Sequence, residues 1–227
     1  MVQINMSTKE ITMKVVYYGP ALSGKTTNLV MLHKFMDPEG RGEMVALDTK
    51  DDRTLYFDFL PIEFPMAGDF SVKMKLFTVP GQVMHRSTRK VVLAGADGVA
   101  FICDSQRSAA SGNAYSWRDM EANLKANGID FDRLPKVVQF NKRDCEDVKS
   151  LEDIRAAWGD IPTCPAIANQ GIGVVETFRA LLRELYRSLE EKHGFSVKFG
   201  VSEEDFLKGV LETLRDYPDA EDALAGL

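Results

Sequence analysis

Apolar, β-branched runs alternate with amphipathic stretches along this chain. Residues 11–18, 98–104 and 136–141 are nearly continuous in apolar side chains, which marks strands buried on both faces, as in a parallel sheet between helix layers. Residues 55–60, 72–79 and 164–168 read as three further strands. Helical periodicity covers residues 26–36, 87–93, 113–127, 151–158 and 174–193. In the last of these, Val174, Val175, Phe178, Leu181, Leu182, Leu185 and Leu189 form one core-facing stripe, and Gly194 supplies its stop. Alternating strands and helices predict a three-layer α/β fold around a mostly parallel, six-stranded sheet. Residues 37–53 and 80–86 are polar and turn-rich, and read as loops.

A second pattern starts beyond residue 194. Ser202 followed by Glu203, Glu204 and Asp205 is a helix start, with a capping side chain and acids in the first turn. Phe206, Leu207, Val210, Leu211 and Leu214 then share one face, and Pro218 ends the helix at the latest. The chain therefore divides into a body, 1–194, and an extension, 195–227, with one amphipathic helix. From residue 202 onward eight acidic residues face Lys208 and Arg215, which accounts for the whole formal charge of −6. A neutral body with an acidic tail offers no electrostatic footprint for nucleic acid. No apolar stretch approaches a membrane span, the first nine residues are not signal-like, and no lipidation motif is present, so no direct membrane insertion is expected. Cys103, Cys145 and Cys164 lack metal-ligand spacing and read as reduced, packed thiols of a cytoplasmic protein.

The chemistry is carried by Gly19-Pro20-Ala21-Leu22-Ser23-Gly24-Lys25-Thr26, a complete G-x-x-x-x-G-K-[ST] match between the first strand and the first helix. Glycines at 19 and 24 let the backbone approach phosphates closely, so that N–H groups of the turn, through Thr27, wrap them. Lys25 reaches the terminal phosphates, and the Thr26 hydroxyl is a Mg²⁺ ligand. Such loops serve ATPases, kinases and GTPases alike. The base is indicated by Asn141-Lys142-Arg143-Asp144 at the end of the fifth strand. A carboxylate at Asp144 can accept two N–H groups from one edge of guanine, a pair that adenine does not offer. Asn141 ties this loop back to the phosphate loop, and the Lys142 stem lies over the base.

From these motifs the sequence resembles the Ras-like small GTPases, and among them the bacterial MglA-type subfamily of cell polarity and gliding motility. The resemblance spans roughly residues 9–190. Its specific stretches are Val16-Tyr17-Tyr18-Gly19-Pro20, Arg53-Thr54-Leu55-Tyr56-Phe57-Asp58-Phe59-Leu60-Pro61, Thr78-Val79-Pro80-Gly81-Gln82, and Val138-Gln139-Phe140 leading into Asn141. It implies a small G-domain of the P-loop NTPase fold that binds GTP or GDP with Mg²⁺ and hydrolyses GTP. Thr54 matches the first-switch threonine that completes Mg²⁺ coordination, and Arg53 the position of a self-supplied arginine finger. Gln82 matches the glutamine that orients the attacking water, and Gly81 the glycine whose N–H meets the γ-phosphate. Ala168, followed by Asn169, takes the place of the loop whose backbone N–H contacts guanine O6. The resemblance also implies a roadblock-type (MglB-like) homodimer as GTPase-activating partner, motility or polarity effectors, and recruitment to a cell pole. Proteins of this subfamily end soon after the helix at 174–193, so the acidic extension is additional. It is expected either to dock on the body or to compete with switch contacts.

Two departures carry expectations. Thr78 stands where most small GTPases have an aspartate that holds a Mg²⁺-bound water, which predicts a weaker Mg²⁺ requirement. Ala21 stands where Ras-like proteins have glycine. A methyl group in that crowded space predicts slow intrinsic hydrolysis with retained GTP affinity. A GTP-binding assembly scaffold with little turnover is the alternative, and an ATP-using P-loop enzyme a third.

Overall fold

The computed structural model describes residues 2–39, 41–47, 57–66, 70–81 and 86–224. Their strands form one sheet: β1 (Gln3–Asn5), β2 (Glu10–Tyr18), β3 (Val45–Leu47), β4 (Phe57–Met66), β5 (Phe70–Thr78), β6 (Gly98–Asp104), β7 (Lys136–Asn141) and β8 (Thr163–Pro165). The order is β3-β4-β5-β2-β6-β7-β8, with β1 paired to β2 beside that path. The five strands β5, β2, β6, β7 and β8 run parallel, while β1, β3 and β4 join antiparallel. The sheet thus has eight described strands where six were expected. The two additions are three-residue strands, too short to show a period of two in the sequence. The β4–β5 hairpin also runs further toward its turn than the sequence indicates, as it is held by antiparallel pairing from Phe59↔Phe77 to Met66↔Phe70.

The helices are α1 (Lys25–Phe35), α2 (Arg86–Leu93), α3 (Ala110–Ala126), α4 (Leu151–Trp158) and α5 (Val174–His193), followed in the extension by α6 (Phe195–Phe199), α7 (Glu203–Leu211) and α8 (Ala220–Leu224). Side chains alternate between the two faces of the sheet. Ile11, Met13, Val15 and Tyr17 of β2 pack with α1 and α5 on one face. Val16 and Tyr18, with Val99, Phe101 and Cys103 of β6, pack under α2, α3 and α4 on the other. On that second face the Trp117 and Trp158 rings meet edge to face at 4.6 Å, with Phe101 at 4.9 Å from Trp117. Burial pushes the Cys103 thiol up, and the Cys164 thiol up to about 11, so both are held as neutral packing groups.

A buried polar network locks the layers in register. Asn28 of α1 and Gln139 of β7 exchange two hydrogen bonds of 2.8 Å each, and Gln139 also donates to Thr177 of α5 at 2.8 Å. Because all three side chains are fully enclosed, each lost partner would strand a polar group in the core.

The described residues of the extension form three short helices where one was expected. Ser202 caps α7 in a reciprocal capping box with Asp205. The helix stops at Leu211, well before Pro218, because Leu214 pairs as an antiparallel bridge with Met36 at the end of α1. The apolar face foreseen in the sequence is docked: Phe206 and Val210 are fully buried, Phe206 lies 6.3 Å from the Phe64 ring of β4 and 5.7 Å from Tyr186 of α5. Burying each such side chain contributes about 2 kcal/mol. These residues belong to the same apolar cluster as β2 and α5.

Candidate nucleotide site

Parallel register brings the motif residues to one edge of the sheet. Tyr17 of β2 pairs with Thr78 of β5, Tyr18 with Phe101 of β6, and Asp104 of β6 with Asn141 of β7. The phosphate loop, the second switch and the base loop therefore leave the sheet side by side, at the strand ends where α/β sheets bind ligands.

In the phosphate loop, Gly19, Leu22 and Gly24 take φ of 147°, 61° and 101°. These left-sided conformations curl the backbone into a nest of N–H groups. Gly24 is required twice over, because a Cβ there would fall 2.1 Å from Nδ2 of Asn141. It also caps α1 without a side-chain acceptor, and the first turn carries no acid, so the helix offers its N–H groups to an anion. Lys25 is 7% exposed, and its ammonium donates to the carbonyls of Gly19 and Pro20 at 3.0 and 2.6 Å. Burial, with the nearby Arg89 guanidinium, pushes it down to about 8 against a partial offset from Asp58. A cation buried on carbonyl groups alone fits a polyphosphate that supplies its counter-charge.

At Thr26 the structure adds a carboxylate to the residues expected from the sequence. The Thr26 hydroxyl donates to Asp58 Oδ2 at 2.5 Å, and the Thr78 hydroxyl donates to the same oxygen at 2.8 Å, while the Asp58 N–H donates to Thr78 Oγ1 at 2.8 Å. The carboxylate absent at 78 is thus supplied by the neighbouring strand β4. Sequence reasoning passed over Asp58; the signal was an acid between Phe57 and Phe59 in an otherwise apolar strand start. Among the described residues no group of three His, Cys, Asp or Glu side chains is placed to cage a metal. Thr26 beside Asp58 fits a hard cation that takes its remaining ligands from phosphate and water. Gly81 packs directly on the phosphate loop: a Cβ on it would lie 2.4 Å from the Ala21 Cα. Arg53, Thr54 and Gln82 lie outside the described residues.

At the base side, Asn141 is the link. Its Nδ2 donates to the Ser23 carbonyl at 2.8 Å, and its Oδ1 accepts the Ala168 N–H at 2.8 Å. The first bond is the tie expected from the sequence. The second is a contact the sequence did not suggest: the Ala168 N–H, expected to face a base carbonyl, donates here to Asn141. Lys142 is held at φ 65° and its ammonium reaches Asp104 Oδ2 at 2.6 Å, a partner the sequence did not suggest. Asp144 is exposed in the turn that follows, and Asn169 is exposed in the 3₁₀ turn Ala168–Gln170. Under the second switch, Arg89 of α2 pairs with Asp119 of α3 at 2.7 Å with both groups buried, and Tyr18 donates to the same carboxylate at 2.5 Å.

No protein-family model matches the chain. It is 40% identical over 190 residues to the mutual gliding-motility protein MglA of Myxococcus xanthus, covering 83% of this chain and 97% of that one. It is 27% identical over 183 residues to the Ypt/Rab-type GTPase YPT7 of Saccharomyces cerevisiae, with 78% and 83% covered, and 26% identical over 193 residues to the Ras-related protein Rab7 of Pisum sativum, with 82% and 88% covered. With the phosphate loop, base loop and sheet order in place, identity across nearly the whole length of MglA is decisive: the chain belongs to the MglA family of Ras-like small GTPases.

Proposed function

We propose that this GTPase is a Mg²⁺-dependent switch in cell polarity or gliding motility, cycling between GTP and GDP states and turned off by a roadblock-type homodimer. The reading is supported above all by Asn141, one side chain that bonds both the phosphate loop and the base loop. That link lets a single ligand be read at its phosphates and at its base. Phosphates lie in the nest of residues Gly19–Thr27 with Lys25 as counter-ion, and Asp144 accepts the two N–H groups on the guanine edge. Thr26, with Asp58 behind it, and Thr54 would hold Mg²⁺, which would supply charge neutralisation at the phosphates. Gln82 orients the water, Arg53 stabilises developing charge, and the Gly81 N–H ties the second switch to the γ-phosphate. Effector binding follows the order of the two switch segments, and effectors draw the protein to a cell pole.

The test is base selectivity joined to turnover. Asp144→Asn replaces an acceptor by a donor, so guanine affinity falls and affinity for xanthine nucleotides, which carry a carbonyl at that edge, rises. Single-turnover GTP hydrolysis collapses in Gln82→Leu and in Arg53→Ala, with and without the roadblock homodimer. Unchanged guanine binding in Asp144→Asn would overturn the assignment of the base, and tight GTP binding without turnover would overturn the switch.

A further inference from the structure

The last part of the extension does not simply cover the body; it grips the loop that faces the base. Ile167 and Ile172 form the neck of the turn Ala168–Gln170, joined by an antiparallel bridge and by the Ile167 N–H donating to the Ile172 carbonyl at 3.0 Å. Both are buried, and what completes their cluster is Ala220 and Leu224 of α8. A second grip comes from Tyr217. Its ring lies 6.3 Å from the ring of Phe35 at the end of α1, and its hydroxyl accepts from Arg179 of α5 at 3.4 Å. Phe35 in turn abuts Gly171, where a Cβ would come 2.4 Å from Cζ. The segment is anchored where it leaves α7, since the Arg215 N–H donates to the Phe35 carbonyl at 2.7 Å and the Asp37 N–H to the Thr213 carbonyl at 2.8 Å.

We infer that residues 213–224 are a buttress for the base loop: Leu224 and Ala220 clamp the Ile167–Ile172 neck, Tyr217 wedges Phe35 against Gly171, and the strap thereby slows nucleotide release. The path from strap to ligand is short. The neck carries Ala168, whose N–H is fixed on Asn141, and Asn141 is bonded to the Ser23 carbonyl of the phosphate loop. Loosening the neck frees the Asn141 carboxamide from its base-side partner, so the base loop opens while the phosphate loop persists. This extends the guanine-nucleotide reading above and rests on it for the ligand. The strap itself is a statement about the fold and can fail separately.

The experiment compares full-length wild type with Tyr217→Ala and Leu224→Asp, and with Leu211→Ala in α7 as a control in the same extension but away from the loop. Two readouts are taken: dissociation of a fluorescent GDP analogue chased with unlabelled GDP, and amide hydrogen exchange of residues 166–172 in nucleotide-free protein. The strap predicts release about tenfold faster and faster exchange of the loop in Tyr217→Ala and Leu224→Asp, with neither changed in Leu211→Ala. Equal release and exchange in all four proteins, or the same acceleration in the control, would overturn it. Should wild type bind no GDP analogue, the guanine reading falls, and the exchange of residues 166–172 still decides the strap.

Discussion

Asp58 and Thr26 meet at 2.5 Å across the gap between β4 and the start of α1, and Thr78 joins the same carboxylate oxygen. With threonine at 78 the sequence points to a weak Mg²⁺ requirement. The Asp58 carboxylate from β4 argues for the opposite outcome, because it places a negative charge beside Thr26, the residue proposed to hold Mg²⁺. Asp58→Asn should raise the Mg²⁺ concentration needed for tight GTP binding by about 10- to 100-fold, the usual cost of losing a group that orients a metal ligand. Nucleotide titrations across a Mg²⁺ series decide it, and a wild-type Mg²⁺ dependence in the variant would remove Asp58 from the site.

Lys25 gives a pH dependence with a definite sign. Its ammonium is pushed down to about 8 in the described state, below its ordinary value of 10.5. Below pH 8 it is already charged, and phosphates bind without taking up a proton. Between pH 8 and 10.5 the free protein has lost that proton, so binding must recover it and GDP affinity falls as pH rises, by at most about tenfold per pH unit. The same group lowers stability of the free protein below pH 8 and ceases to do so as pH rises through 8 to 10.5. Calorimetric titration in buffers of different ionisation enthalpy should register proton uptake at pH 9 and none at pH 7.

Asn141→Ala removes two buried hydrogen bonds at once and leaves the Ser23 carbonyl and the Ala168 N–H without partners. Each orphaned group costs about 1–3 kcal/mol. Nucleotide dissociation should accelerate by two orders of magnitude or thereabouts on that scale. The fold itself persists, since its apolar layers do not depend on this side chain; circular dichroism alongside the release assay separates the two effects.

The Arg89–Asp119 pair is a stability element under the second switch. Both groups are almost fully enclosed, and Asn123 and Tyr18 also bond the carboxylate. Asp119→Ala leaves a buried guanidinium short of its counter-ion and should cost about 3–5 kcal/mol. Arg133→Ala, which breaks the exposed pair with Glu191 at 3.2 Å, should cost no more than about 1 kcal/mol. Thermal unfolding of the two variants side by side provides the contrast.

Ala21 is exposed on the phosphate loop with its backbone against Gly81. The Ala21→Gly variant should raise the single-turnover rate of GTP hydrolysis with little change in GTP affinity, if Gln82 has the water-orienting role proposed for it and the methyl group crowds that role. An unchanged rate would acquit the methyl group.

The sequence is most legible where physics is local. Strands β6 and β7 and helices α4 and α5 have the bounds their periodicity indicates, because continuous apolar runs and an uninterrupted stripe leave one solution. The phosphate and base loops follow from motifs whose residue types are dictated by phosphate and guanine. What escaped is what depends on neighbours far away in the chain. The reach of Asp58 to Thr26 and Thr78 arises from strand pairing, and Lys142 finds Asp104 through the β6–β7 register. The end of α7 is set by a bridge to Met36, which no helix-stop residue announces. Two bridging strands of three residues carry too little pattern to be seen at all.

Both tryptophans of the chain share one contact, ring against ring, beneath α3 and α4. Excitation at wavelengths that tryptophan absorbs and the six tyrosines do not therefore samples one spot, on the side of the sheet away from α1, α5 and the acidic tail. Tryptophan emission becomes a gauge of whether the α3–α4 layer is intact, while events at the strap or around α1 leave it unmoved. A tryptophan placed at Tyr217 would give the silent half of the molecule a lamp of its own.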